Sequence, residues 1–120
     1  MTTAWIFAGQ GAQTVGMGRD LAAAWPSCKA LFDRAAETLG YDLAALCVNG
    51  PMAALTQTVH CQPAIFLVSA ACLEALKQSE SAEAPPAAAA GLSLGEWTAL
   101  YAAGCLSFED TLRVLAARGR

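Results

Sequence analysis

The chain has 120 residues, 56% of them hydrophobic and 14% charged, with a mean hydropathy of +0.41 and a formal net charge of -3. This length holds one small domain, whose large relative surface calls for more polar residues than are present, so the composition predicts part of something larger. The charge balance leaves no basic stripe for nucleic acid, the 5 widely spaced cysteines without a C-x-x-C read as reduced core residues and not as a disulfide or zinc framework, and no apolar run approaches the roughly eighteen residues of a membrane span.

A cytoplasmic protein with no metal, cofactor, membrane or nucleic-acid partner is therefore expected. Ala4-Trp5-Ile6-Phe7-Ala8 predicts a buried first strand feeding the glycine-rich turn Gly9-Gln10-Gly11-Ala12-Gln13. A dinucleotide fingerprint would need a third glycine where Thr14 stands, so the turn instead brings backbone amides close to something else. Helical patterns follow around Leu21 and, after Trp25-Pro26, through Leu31, Ala35 and Leu39, with Gly40 as the stop. Asp42 predicts an N-cap for a short helix over 43–48, closed by the turn Asn49-Gly50-Pro51. A polar connection over 56–61 contains His60, the sole histidine, as a loop residue. Pro63 at a first helical position makes Gln62 the N-cap of a long helix to about Gln78, with Ile65, Val68, Cys72, Ala75 and Leu76 as its apolar stripe. The Gln62 side chain is then either a simple cap or aimed into a cleft. The stretch 78–86 predicts a surface loop.

Ala87 to Ala90 predicts a tightly packed central strand that ends in Gly91-Leu92-Ser93-Leu94-Gly95-Glu96 and becomes helix. Strand, sharp turn and helix around G-x-S-x-G match a nucleophile elbow, in which glycines permit a strained turn that lifts the serine hydroxyl out of the backbone. The unpaired N–H groups that open the next helix suit an oxyanion, which points to acyl transfer. Ser93 and Glu96 equally make an S-x-x-E capping box, which any helix start can use. Gly104 stops that helix, and Ser107 to Asp110 caps a last helix expected to run on to Arg120. There Arg118 shares a face with Thr111, Val114 and Leu115, so its guanidinium needs a carboxylate or carbonyl partner, from the protein, most often as a structural ion pair, or from an anionic substrate.

Five stretches, Phe7 to Gln13, Gly40 to Leu43, Gln62 to Ala64, Gly91 to Glu96 and Ala117 to Gly119, in this order and spacing resemble malonyl-coenzyme A:acyl carrier protein transacylases and the acyltransferase domains of fatty-acid and polyketide synthases. The resemblance covers essentially the whole chain. It implies an α/β fold: a partial hydrolase-like parallel sheet with flanking helices and a nucleophile elbow. Residues 1–120 would be the N-terminal part of the domain, truncated before the family's ferredoxin-like subdomain. It implies Ser93 as the nucleophile that takes the malonyl group as an ester, the backbone amides of Gln10 and Leu94 as the oxyanion hole, Gln62 as a wall of the site and Arg118 as the grip on the malonyl carboxylate. Malonyl-coenzyme A and acyl carrier protein would be the partners, in fatty-acid biosynthesis. Most of the family has histidine where this chain has Leu92, and the family's catalytic histidine follows the last residue here, so His60 is not expected to be the base. A serine esterase or thioesterase with the same elbow is the alternative enzyme; a catalytically incomplete fragment that at most binds carrier protein is the alternative outside enzymes, and it is the expectation for the isolated 120 residues, which lack the base.

Overall fold

The computed structural model describes residues 2–79 and 85–120, so the predicted loop over 78–86 lies largely outside the described residues. Two short strands, β1 (Ala4–Phe7) and β2 (Ala88–Gly91), pair in parallel with Ala4 opposite Ala88 and Phe7 opposite Gly91. A parallel pair needs a long crossover. Here it carries helices α1 (Arg19–Ala24), α2 (Pro26–Leu39), α3 (Leu43–Asn49), α4 (Met52–Thr56) and α5 (Thr58–Gln78), and after β2 come α6 (Leu94–Ala102) and α7 (Phe108–Arg118). The fold is α/β, as expected, with a short parallel sheet.

Local chemistry sets most of the boundaries. Gly40 ends α2 at φ 82°, a left-handed conformation that costs a residue with a Cβ about 1 kcal/mol. The Asp42 carboxylate accepts from the Ala45 N–H at 3.0 Å and opens α3. Ser107 Oγ accepts from the Asp110 N–H at 3.1 Å and opens α7. Ser107→Ala is expected to cost about 1 kcal/mol in urea denaturation, the ordinary value of such a cap. Gly119 is the C-cap of α7, so the helix closes at Arg118 and does not run on to Arg120.

The core forms around α5. Residues 61–67 of that helix are all buried, and Phe66 at 0% exposure meets the rings of Tyr101 and Phe108 at centroid distances of 5.1 and 5.6 Å. With α2, α4, α6 and α7 packed around it, its buried surface is broader than the predicted stripe, and Cys72 and Leu76 fall on the exposed side. By length and composition α5 could cross a membrane, contrary to the expectation from apolar runs. Most of it is buried inside the fold, which accounts for its apolarity.

The start of α5 also corrects the prediction. Thr58 to Cys61 form a first helical turn, with the His60 and Cys61 amides donating to the Gln57 carbonyl at 2.9 and 2.8 Å, so Pro63 lies inside the helix and Gln62 is not its cap. Burying Cys61, Gln62 and Pro63 is possible only if the helix begins ahead of them. The preceding helix, α4, has no sequence signal strong enough to have been predicted. The strands are less buried than expected. Residues paired in a parallel register share a face, and on the face formed by Ala4, Ile6, Ala88 and Ala90 all four are exposed, Ile6 at 76%. The opposite face, with Trp5 and Phe7 half-buried, receives α6.

Of the cysteines, all unpaired, Cys28, Cys47 and Cys61 are core residues as predicted, whereas Cys72 and Cys105 are exposed. Burial, reinforced by the Asp42 carboxylate, pushes the Cys47 thiol up to about 12 and keeps it protonated. Arg34 on α2 bonds Glu109 on α7 and lies 4.9 Å from the Phe108 ring centroid, which ties α7 to the helical layer and fixes the direction in which its last turn points.

Candidate active site

The site is built where the two strand ends meet the start of α6. β2 ends at Gly91 and α6 begins at Leu94, which leaves Leu92 and Ser93 to reverse the chain. A Cβ on Gly91 would lie 2.1 Å from the Gly95 carbonyl carbon, and one on Gly95 would lie 2.5 Å from the Phe7 oxygen. One on Gly9 would come within 3.0 Å of the Leu92 oxygen. Glycine at these positions lets both strand ends and the first turn of the helix touch through backbone alone. The turn is closed by the Gly95 N–H donating to the Leu92 carbonyl and the Glu96 N–H to the Ser93 carbonyl, both at 3.1 Å.

The compression falls on Ser93. Its φ of 55° with ψ -107° is the one positive φ at a non-glycine among the described residues, a conformation that costs on the order of 1–3 kcal/mol. An N-cap serine normally has extended backbone, from which its oxygen reaches the third helical amide. At φ 55° it does not, and the Ser93 side chain makes no capping bond. The capping-box alternative therefore fails for Ser93. Its hydroxyl instead accepts a hydrogen bond from Arg118 Nη2 at 3.1 Å.

Arg118 reaches that position because Thr111 and Leu115, at 0% exposure, hold the predicted face of α7 inward. Gly119 then backs onto the first turn of α5: a Cβ there would lie 2.5 Å from Val59 Cα and 2.6 Å from the Thr58 oxygen. The second terminal nitrogen, Nη1, donates to Gln62 Oε1 at 3.3 Å. Gln62 is 7% exposed within α5, so its side chain caps no helix end, and its one bond among the described residues is to Arg118. No carboxylate pairs with Arg118 among the described residues, which removes the structural ion-pair alternative. Arg118 is exposed, so its charge is open to solvent and to an anion. The part played by Gly119 is not legible in spacing, since the close approach it permits is to a helix far away in sequence.

Gln10 follows Gly9, which abuts the Leu92 oxygen, and Leu94 opens α6. Gln13 Oε1 accepts from the Gly11 N–H at 2.9 Å and shapes the loop after β1, while Leu94 opens α6 with its side chain buried. Neither the Gln10 nor the Leu94 amide has an acceptor among the described residues. Leu92, beside the serine, is 86% exposed and offers no polar group. His60 lies in the first turn of α5 and not in a loop. Its Nδ1 donates to the Ala54 carbonyl at 2.9 Å and its ring meets Tyr41 edge-on at 5.6 Å, so its contacts are with α4 and Tyr41, not with Ser93. Among the described residues no three His, Cys, Asp or Glu gather to hold a metal ion. What the arrangement offers is a strained, exposed hydroxyl, a cation one hydrogen bond away, and free backbone donors at a helix start. Together these are suited to attack on a carbonyl that carries a nearby negative charge.

The model of the acyl transferase domain matches residues 4–120. A polyketide biosynthesis protein of Burkholderia thailandensis, ThaF, is 49% identical over 97% of this chain and 10% of its own length. The malonyl CoA-acyl carrier protein transacylase of Escherichia coli K12 is 44% identical over 98% of this chain and 37% of its own. A crystal structure of an acyl carrier protein S-malonyltransferase from Vibrio cholerae superposes with a TM-score of 0.91 at 42% identity, over 99% of this chain and 38% of that one. The chain thus spans little more than a third of the length of these two transferases.

Proposed function

The chain belongs to the acyl transferase domain family, and we propose that it supplies the nucleophile and the acid clamp of a malonyl-coenzyme A:acyl carrier protein transacylase acting in fatty-acid synthesis. In this reading residues 1–120 are the N-terminal portion of the domain and the turn at Ser93 is its nucleophile elbow. Ser93 Oγ attacks the thioester carbonyl, and the Gln10 and Leu94 amides take the oxyanion, each donor lowering the barrier by about 3 kcal/mol. Collapse of the tetrahedral intermediate breaks the carbon–sulfur bond and expels the coenzyme A thiol, leaving a serine ester. The pantetheine thiol of acyl carrier protein then attacks that ester and regenerates Ser93. The proton moves through a histidine from the part of the domain outside these 120 residues, because His60 is engaged elsewhere.

The observation that carries the proposal is the 3.1 Å contact between Arg118 Nη2 and Ser93 Oγ. In a malonyl thioester the carboxylate carbon is two bonds from the carbonyl that the serine attacks, so the clamp must stand next to the nucleophile. A neutral acyl chain would gain nothing from a guanidinium there, which argues against the esterase reading. The test uses intact mass after incubation with malonyl-coenzyme A, with imidazole in solution as the base. A malonyl adduct that is lost in Ser93→Ala is expected. No adduct on Ser93, with or without imidazole, would refute the mechanism.

A further inference from the structure

Arg118 donates into the very oxygen that has to act as the nucleophile. A serine attacks through an oxygen lone pair, and a cationic N–H directed at that oxygen draws density from it and occupies an approach to it. The guanidinium is held there from two sides. Gln62, itself buried, takes its other terminal nitrogen, and Gly119 seats the end of α7 against Thr58 and Val59. An exposed arginine with neither anchor would spend its time in solvent.

We propose that this contact is a lock: Arg118 holds Ser93 in a less nucleophilic state until a carboxylate takes the guanidinium, so that acid recognition and release of the nucleophile are one event. The proposal rests on the reading of Arg118 as the carboxylate clamp. A carboxylate gripped by two parallel N–H groups uses either both terminal nitrogens or Nε with Nη2. Each fork takes one of the two N–H groups on Nη2, so the anion displaces the serine when it takes the fork whose N–H points at Ser93 Oγ. A carboxylate meets the guanidinium charge to charge and through two parallel N–H groups, whereas the neutral hydroxyl takes one, so the exchange runs toward release. An uncharged acyl group has no comparable interaction with the guanidinium and leaves Ser93 engaged. Specificity then arises at the nucleophile as well as in binding.

The test follows the rate at which phenylmethanesulfonyl fluoride, an uncharged serine reagent, labels Ser93 of the 120-residue chain in imidazole buffer. Intact mass reads the adduct, with Ser93→Ala as the site control. Acetate is the added anion, because it reproduces the methylene carboxylate of a malonyl group and leaves the space at the reacting carbonyl open. Acetate, but not chloride at equal ionic strength, is expected to speed labelling on the order of tenfold, the rate equivalent of one charged hydrogen bond. Arg118→Met is expected to label at the faster rate in either salt. Acetate that moves the Arg118 Nε–H resonance while labelling stays level or slows overturns the lock and leaves the clamp standing. Acetate that does not move that resonance overturns the clamp, and an Arg118→Met rate no faster than wild type overturns the lock whatever the anion does.

Discussion

Gly91→Ala is expected to lower stability by about 3 kcal/mol, a Tm drop on the order of 10 °C or more, and to abolish acyl loading of Ser93. The added methyl would lie 2.1 Å and 2.2 Å from the Gly95 carbonyl carbon and oxygen and 2.7 Å from the Glu96 nitrogen. All three are backbone atoms, so no side chain can swing aside. Relief requires α6 to lift from β2, and that movement also breaks the backbone contact between Gly95 and the end of β1. The turn bonds that hold Ser93 at φ 55° are made by the Gly95 and Glu96 amides, so the strained serine relaxes with them. Gly40→Ala is the comparison. A Cβ there meets nothing within 4 Å, and only the left-handed φ is penalised, so a loss of about 1 kcal/mol with loading intact is expected. Thermal denaturation and intact mass on the two variants separate a steric origin from a generic cost of replacing glycine. Equal losses in both would contradict this account of the turn.

What the sequence made legible divides along the range of the interactions involved. Asp42, Gly40 and Ser107 announce helix ends because their signals are local, a side chain reaching an amide three residues away or a φ that only glycine takes freely. Periodicity alone puts Arg118 on the face of α7 that Thr111 and Leu115 bury, but the exposure of its own side chain, at the end of the helix, is not in the spacing. Pro63 is a strong local signal for a first turn, and what overrides it is the burial of Cys61 to Pro63 among helices distant in the chain, which starts α5 at Thr58. Ser93 shows the limit most sharply. Gly91 to Glu96 carries both G-x-S-x-G and S-x-x-E, two patterns that spacing alone leaves compatible. That Ser93 makes no cap bond follows from its φ, and the close approach of Gly91 to Gly95 and of Gly95 to Phe7 beside it is something no spacing rule contains. The partners of Arg118 are equally hidden, because an arginine on an apolar face needs some acceptor, and only the packing of α7 on α5 and α6 supplies Gln62 and Ser93.

Arg118→Ala is expected to abolish malonyl loading of Ser93, with a fall of a hundredfold or more, on the order of 3 kcal/mol of lost charge-assisted bonding. The same variant should leave the fold nearly unchanged, because Arg118 is exposed and pairs with no carboxylate among the described residues. Its bonds to Gln62 and Ser93 are worth about 1 kcal/mol or less in that setting, so Tm is expected to move by only a few degrees. That separation matters, since a variant that unfolds would also fail to load. Removing the arginine frees the serine oxygen but deletes the attraction that brings the acid to it. Loading from an uncharged acyl thioester should therefore not fall with loading from malonyl-coenzyme A, and the ratio of the two is the quantity to measure. High salt should weaken malonyl loading of the wild type and leave the variant's residual rate flat, because only the wild type uses a solvent-accessible ion pair. If Arg118→Ala loads malonyl as fast as the wild type, Arg118 is not the acid clamp, and the substrate class rather than the serine chemistry is what fails.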